Sequence, residues 1–175
     1  RGAVDADGKT GDGAGIHVEI PKDFFIEKIE VTGHTHDNSE ICVGMIFLPR
    51  NDYSAQESCK TIVESELTKN DFNIYGWRQV PVNPKVLGEK AFQTMPEIIQ
   101  VLFKPHNKEL TNKDLERKIY ETRRKIENEA FKKSLNNFYI CSLSSKSIIY
   151  KGMFLAEAIS DFYLDLNDER FVSRY

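Results

Sequence analysis

Apolar positions recur along the chain with two different spacings. Ile16, Val18 and Ile20 alternate with His17 and Glu19 up to Pro21, the period of a half-buried strand. Residues 23–28 suit a helical turn, and 32–40 form a polar loop. Residues 41–48 are an unbroken apolar run ended by Pro49, which predicts a buried strand. Asn51 or Asp52 then caps a helix whose Ala55, Cys59, Ile62, Val63 and Leu67 fall on one face and which ends near Asn70. Residues 72–82 read as a strand with Ile74, Trp77 and Val80 turned inward, closed by Pro81 and Pro84.

A short helix is expected over 88–93 and an apolar strand over 98–103, between Pro96 and Pro105. Residues 111–133 give the clearest signal. Thr111 and Asp114 resemble a capping box, and Leu115, Ile119, Ile126 and Ala130 make an inward stripe. Residues 138–143 and 147–154 read as strands of a hairpin turning at Ser144, Ser145 and Lys146, followed by a short helix over 155–163. Strands and helices do not alternate regularly, so a doubly wound sheet is disfavoured. The expected class is α+β, with helices layered on a largely antiparallel sheet.

Charge narrows the function classes. Lys plus Arg number 24 against 27 Asp plus Glu, a net charge of −3, so no basic excess attracts a phosphate backbone and nucleic acid is not an expected partner. No segment has the apolar length of a membrane span, so a soluble chain is expected. Cys42, Cys59 and Cys141 are odd in number, far apart and set among apolar neighbours. They read as buried packing thiols of a reducing compartment rather than a disulfide framework or nucleophiles. Arg1 opens on a glycine-rich stretch without an initiator Met or a leader, which reads as an internal segment of a longer protein; residues 170–175 read as the start of a further strand.

Three groups of residues invite a chemical reading. Gly11-Asp12-Gly13-Ala14-Gly15 has the glycines of a phosphate-binding turn, but a loop precedes it and a strand follows, the reverse of a dinucleotide-binding context. His34, His36 and Asp37 have the types of metal ligands without the further Cys or His a site requires, and a solvated loop is preferred. The Lys and Glu residues of 116–133 read as a solvated helix face. From residues alone the chain is a soluble α+β domain with no convincing site.

A longer pattern changes that. Residues 1–16, Arg-Gly-Ala-Val-Asp-Ala-Asp-Gly-Lys-Thr-Gly-Asp-Gly-Ala-Gly-Ile, resemble a segment of glutamate synthase large subunits. The same family is resembled, in order, by residues 76–82, 87–89, 94–96 and 98–101, and almost residue for residue by 138–145, 149–153 and 168–171. The loop over 33–40 departs from the pattern.

The resemblance implies a class II glutamine amidotransferase domain, an αββα sandwich of the N-terminal-nucleophile type, here incomplete, with residues 1–175 part of one domain. In that family an N-terminal cysteine attacks the glutamine carboxamide, with its own α-amino group as base, and releases glutamate and ammonia. The nucleophile is therefore expected upstream of Arg1, with no catalytic residue and no metal site in this chain, and the isolated segment is expected to be inactive.

Arg1 and Gly2, with the turn at Asp12 and Gly13, are implied as supports beside the cysteine-bearing strand; simple turn-making is the alternative for the two glycines. The parent enzyme is implied to carry FMN and an iron–sulfur cluster, neither with ligands in this segment. Its implied partners are glutamine, the synthase domain of the same chain, and ferredoxin or a pyridine-nucleotide-dependent small subunit as electron donor. The implied compartment is the cytoplasm, or the plastid in a photosynthetic eukaryote. A related non-catalytic α+β binding module is the rival reading.

Overall fold

Two helix caps are set by single side chains. Asp52 accepts from the Ala55 backbone N at 3.0 Å and opens α2 (Tyr53–Lys69). Thr111 accepts from the Asp114 backbone N at 3.1 Å and opens α4 (Asn112–Lys132). Each such cap contributes about 1 kcal/mol. Cys59, Ile62, Val63 and Leu67 of α2 are buried together with Leu115, Ile119, Thr122, Ile126 and Ala130 of α4, as the helical period requires. Ala55 is only half-buried. Gln56 takes the inner position and satisfies its amide on the Pro49 and Arg50 carbonyls at 2.7 and 3.1 Å.

The structure is a computed structural model that describes residues 4–171. Its strands are β1 (Ala14–Glu19), β2 (Cys42–Leu48), β3 (Phe72–Gln79), β4 (Glu97–Pro105), β5 (Tyr139–Ser144) and β6 (Ser147–Gly152). Four form one sheet in the order β3-β4-β2-β5, and β1 pairs with β6 in a second. Every one of these strand pairings is antiparallel. Helices α2 and α4 cover one face of the larger sheet over a core that includes Ile46, Phe72, Val101 and Phe103. Its other face packs on β1, β6 and α1 (Lys22–Val31), with Met45, Leu102, Phe25, Ile29, Ile148 and Tyr150 in a second core. The class is α+β, and the layer order is helix pair, sheet, sheet. No helix among the described residues is long and apolar enough to cross a membrane.

Five local expectations are corrected. β5 and β6 do not form a hairpin: β5 pairs with β2 and β6 with β1, so the turn after Ser144 carries the chain from one sheet to the other. In β3 Tyr75 is buried, as Phe72 is, while Ile74 and Trp77 are half-buried against the core under α2 and α4, and the register shifts between Ile74 and Gly76. Gly76 sits at φ +153; Tyr75 faces the opposite core to Ile74 by ordinary alternation, and the extra residue at this bulge returns Trp77, three residues on, to the face of Ile74. The first helix continues past Lys28 because Phe24, Phe25 and Ile29 are all buried on it. Residues 155–163 break into a 3₁₀ turn (Ala156–Ala158) and a single helical turn, α5 (Ile159–Phe162). Of the stretch expected to begin a strand, Arg170 and Phe171 lie in a turn and the rest falls outside the described residues.

Candidate amidotransferase site

The glycine-rich stretch folds into a turn closed by an antiparallel bridge between Val4 and Gly11. Asp7 organises it. Its Oδ1 accepts from the backbone N–H groups of Lys9 and Thr10 at 2.9 and 2.7 Å, and its Oδ2 from the Thr10 hydroxyl at 2.5 Å. The Thr10 hydroxyl first, then the two backbone donors, hold the Asp7 carboxyl at a pKa of about 2. Lys90 of α3 (Glu89–Gln93) reaches across to Asp5 Oδ2 at 3.0 Å.

The glycines of this turn serve close packing. A Cβ on Gly11 would sit 2.9 Å from the Phe154 carbonyl oxygen, and one on Gly15 would sit 3.1 Å from Lys151 Cβ. The backbone that a phosphate would need is therefore pressed against residues 151–154, and the nucleotide-binding reading has no cradle to rest on. Asp12 and Gly13 lie exposed on the turn, Gly13 at φ +134 with Gly152 as its near neighbour. Arg1 and Gly2 lie outside the described residues.

Residues 151–154 also wall a cavity of about 810 Å³. Its opposite walls come from Leu48 to Asp52 after β2, from Leu87, Ala91 and Met95 around α3, and from Phe138 and Tyr139 at the start of β5. Two cations stand at it. Lys151 donates to the Tyr139 hydroxyl and lies 4.4 Å over the same ring, a cation–π contact. Arg50 donates to the Phe92 carbonyl at 3.0 Å and stacks on its ring at 5.0 Å. The cavity is thus a mainly apolar, part-open pocket whose cations are held in place by aromatic rings.

All 175 residues match the protein family described as Glutamine amidotransferases class-II. The chain belongs to that family. It is 53% identical over 175 residues to the protein named Glutamate synthase [NADPH] large chain of Azospirillum brasilense, covering 100% of this chain and 12% of that one. It is 41% identical over 177 residues to Ferredoxin-dependent glutamate synthase 1, chloroplastic/mitochondrial, of Arabidopsis thaliana, covering 100% of this chain and 11% of that protein. The ferredoxin-dependent enzyme of Spinacia oleracea matches at 38% over 177 residues, again with 100% and 11% covered. The chain thus spans 11 or 12% of the length of these relatives.

A class II amidotransferase works through a thiolate nucleophile, and the thiols present here are unsuited to that role. Cys42, Cys59 and Cys141 are all buried and unpaired by disulfides. Burial pushes the Cys42 thiol well above its ordinary range and those of Cys59 and Cys141 up to about 11. Cys141 donates to the Ile149 carbonyl at 3.3 Å, tying β5 to β6. Packing is the role the structure gives them, as their apolar sequence neighbours lead one to expect.

The histidine loop is likewise engaged in the amidotransferase fold. His34 bonds Thr32 Oγ1 at 3.0 Å, His36 bonds the Ser39 carbonyl at 3.0 Å, and Asp37 accepts from Lys104 at 2.7 Å and pairs with Lys108 at 2.9 Å. His17 Nε2 lies 2.6 Å from Ser147 Oγ on the outer face of β1 and β6. Among the described residues no group of three or more His, Cys, Asp or Glu side chains converges as a metal site would. The buried, separated thiols do not fit an iron–sulfur cluster, and the occupied glycine turn does not fit a flavin phosphate.

One buried network has little signature in the sequence. Arg78 donates to Asp165 Oδ2 at 2.7 Å, Asp165 Oδ1 at 2.5 Å and Gln100 Oε1 at 2.8 Å, while the Tyr150 hydroxyl donates to Asp165 Oδ2 at 3.0 Å. It links β3, β4 and β6 to the 3₁₀ turn at Leu164–Asn167. Its one signal is Gln100, a polar residue inside the apolar run over 98–103.

Proposed function

We propose that residues 1–175 form part of one glutamine-hydrolysing domain in a glutamate synthase large subunit. The observation that carries this reading is the match of the whole chain to class II amidotransferases together with 53% identity to a protein named as a synthase large chain. In this reading a cysteine thiolate attacks the glutamine carboxamide carbon, ammonia leaves, and water hydrolyses the thioester to glutamate. The burial and raised pKa of Cys42, Cys59 and Cys141 support placing that nucleophile elsewhere in the polypeptide. Arg1, Gly2, Asp12 and Gly13 support the strand that bears it.

The ammonia passes to the synthase part of the same chain, which aminates 2-oxoglutarate. FMN, the iron–sulfur cluster and the contact with ferredoxin or a pyridine-nucleotide-dependent subunit belong to that part. The compartment is the cytosol, or the plastid in a photosynthetic eukaryote.

Covalent labelling tests the reading. The full-length polypeptide treated with the glutamine analogue 6-diazo-5-oxo-L-norleucine is expected to lose glutaminase activity and to carry the label on a cysteine other than these three. Label on Cys42, Cys59 or Cys141 would overturn the placement of the nucleophile, and neither label nor activity would favour a binding module.

A further inference from the structure

Residues 4–13 and the segment around α3 meet at a contact that no sequence motif marks. Gly88 is packed so tightly that an added Cβ would lie 2.1 Å from Asp7 Oδ2 and 2.3 Å from Thr10 Oγ1. The carboxylate and hydroxyl that bond each other at 2.5 Å are therefore seated directly on the Gly88 backbone. Beside them Lys90 Nζ holds Asp5 Oδ2 at 3.0 Å, a second tie between the same two segments. Thr10 and Gly11 are buried beneath, and Gly11 in turn rests on the Phe154 carbonyl.

The two ends of this stack are walls of one cavity. Leu87 and Ala91 flank the Gly88 contact and line it from one side, and Gly152 and Phe154 line it from the other. A displacement of the turn would thus be felt both at the strand end under Gly11 and along α3.

We infer that Asp7 is a positioning residue for glutamine hydrolysis: with Thr10 and Gly88 it clamps the turn bearing Asp12 and Gly13 to α3, holding the two walls in one geometry. The inference rests on the functional reading above and adds to it a group whose effect is exerted through the backbone, without contact with substrate. Such a group acts on alignment of the reacting atoms, where small displacements cost large factors in rate.

The test measures glutamine hydrolysis by full-length wild type, Asp7→Ala, Asp7→Asn and Gly88→Ala, with kcat expressed per site titrated by the covalent glutamine analogue so that misfolded protein is not counted. Asp7→Ala and Gly88→Ala are expected to lower kcat per titrated site by about tenfold or more with KM changed by less than about twofold. Asp7→Asn keeps the shape and an Oδ1 acceptor for the two backbone N–H groups, and is expected to stay within about threefold of wild type. Unchanged kcat per site in both Asp7→Ala and Gly88→Ala would overturn the positioning role, as would an Asn variant as impaired as the Ala variant. A wild-type protein that does not hydrolyse glutamine would instead overturn the functional reading on which the inference rests.

Discussion

The guanidinium of Arg78 and the carboxylate of Asp165 meet in a two-bonded pair, 2.7 and 2.5 Å, with side chains only 13% and 2% exposed. The pair sits where β3 of the larger sheet faces the 3₁₀ turn that follows α5. Both charges are largely withdrawn from water, Gln100 accepts a further Arg78 proton and the Tyr150 hydroxyl donates to Asp165. Removing one partner leaves the other buried without compensation, which typically costs about 3–5 kcal/mol, whereas replacing both by apolar groups is often neutral. Asp165→Ala is therefore expected to lower unfolding free energy by about 3–5 kcal/mol in urea titration. Arg78→Met combined with Asp165→Leu is expected to recover most of that loss.

A second prediction concerns the passage between the sheets. Glu116 on α4 accepts from the Ser145 backbone N at 2.7 Å, the Ser145 hydroxyl at 2.6 Å and the Ser144 hydroxyl at 3.1 Å, so one carboxylate pins the turn that separates β5 from β6. Glu116→Ala is expected to cost about 1–3 kcal/mol, the penalty for leaving such donors unmet. Hydrogen exchange at the Ser145 amide should accelerate more than exchange in β4.

The fold was legible where local chemistry decides the element. Asp52 and Thr111 cap the helices they were expected to cap, and the apolar runs over 41–48 and 98–103 became β2 and β4 at the centre of the sheet. It was not legible where a distant partner decides. Ser144 to Ser147 has the spacing of a hairpin turn, yet β6 is claimed by β1, far earlier in the chain, with Ser147 opposite Glu19. Tyr75 is buried in the second core while Ile74 and Trp77, three residues apart, share the other face through one bulge before Gly76, and a period-2 reading has no means of foreseeing an inserted residue. At the site, the glycine turn was found but its reason was not: Gly11 and Gly88 are glycines because Phe154 and Asp7 occupy their Cβ positions.

Thiol reactivity gives a third prediction. With pKa values of about 11, only about one in a thousand of the Cys59 and Cys141 thiols is ionised at pH 8. Burial raises the Cys42 thiol in the same direction. Native protein labelled with iodoacetamide at pH 8 should leave all three unmodified over times that fully modify them in guanidinium chloride. Fast native labelling of any one would contradict the packing role assigned to it.

Asp37 makes stability depend on pH in a definite direction. Hydrogen bonds from Lys104, then from Ser39 and Lys108, hold its carboxyl far below the usual carboxylate range. A depressed folded-state pKa means the contribution is fully present above the unfolded value of about 3.9 and is lost as pH falls below it toward the folded value. Asp37→Asn is therefore expected to melt lower than wild type at pH 7, with the difference shrinking between about pH 4 and pH 2. Thermal melts of the two proteins across that range check it.

The function proposed above places this chain in a glutaminase whose nucleophile is not among Cys42, Cys59 and Cys141. The most direct measurement is glutamate release from glutamine by the full-length polypeptide and, side by side, by the isolated 175-residue chain. Release is expected from the full-length protein and none from the isolated chain. Comparable release by the isolated chain would contradict it, since the nucleophile would then lie within these residues.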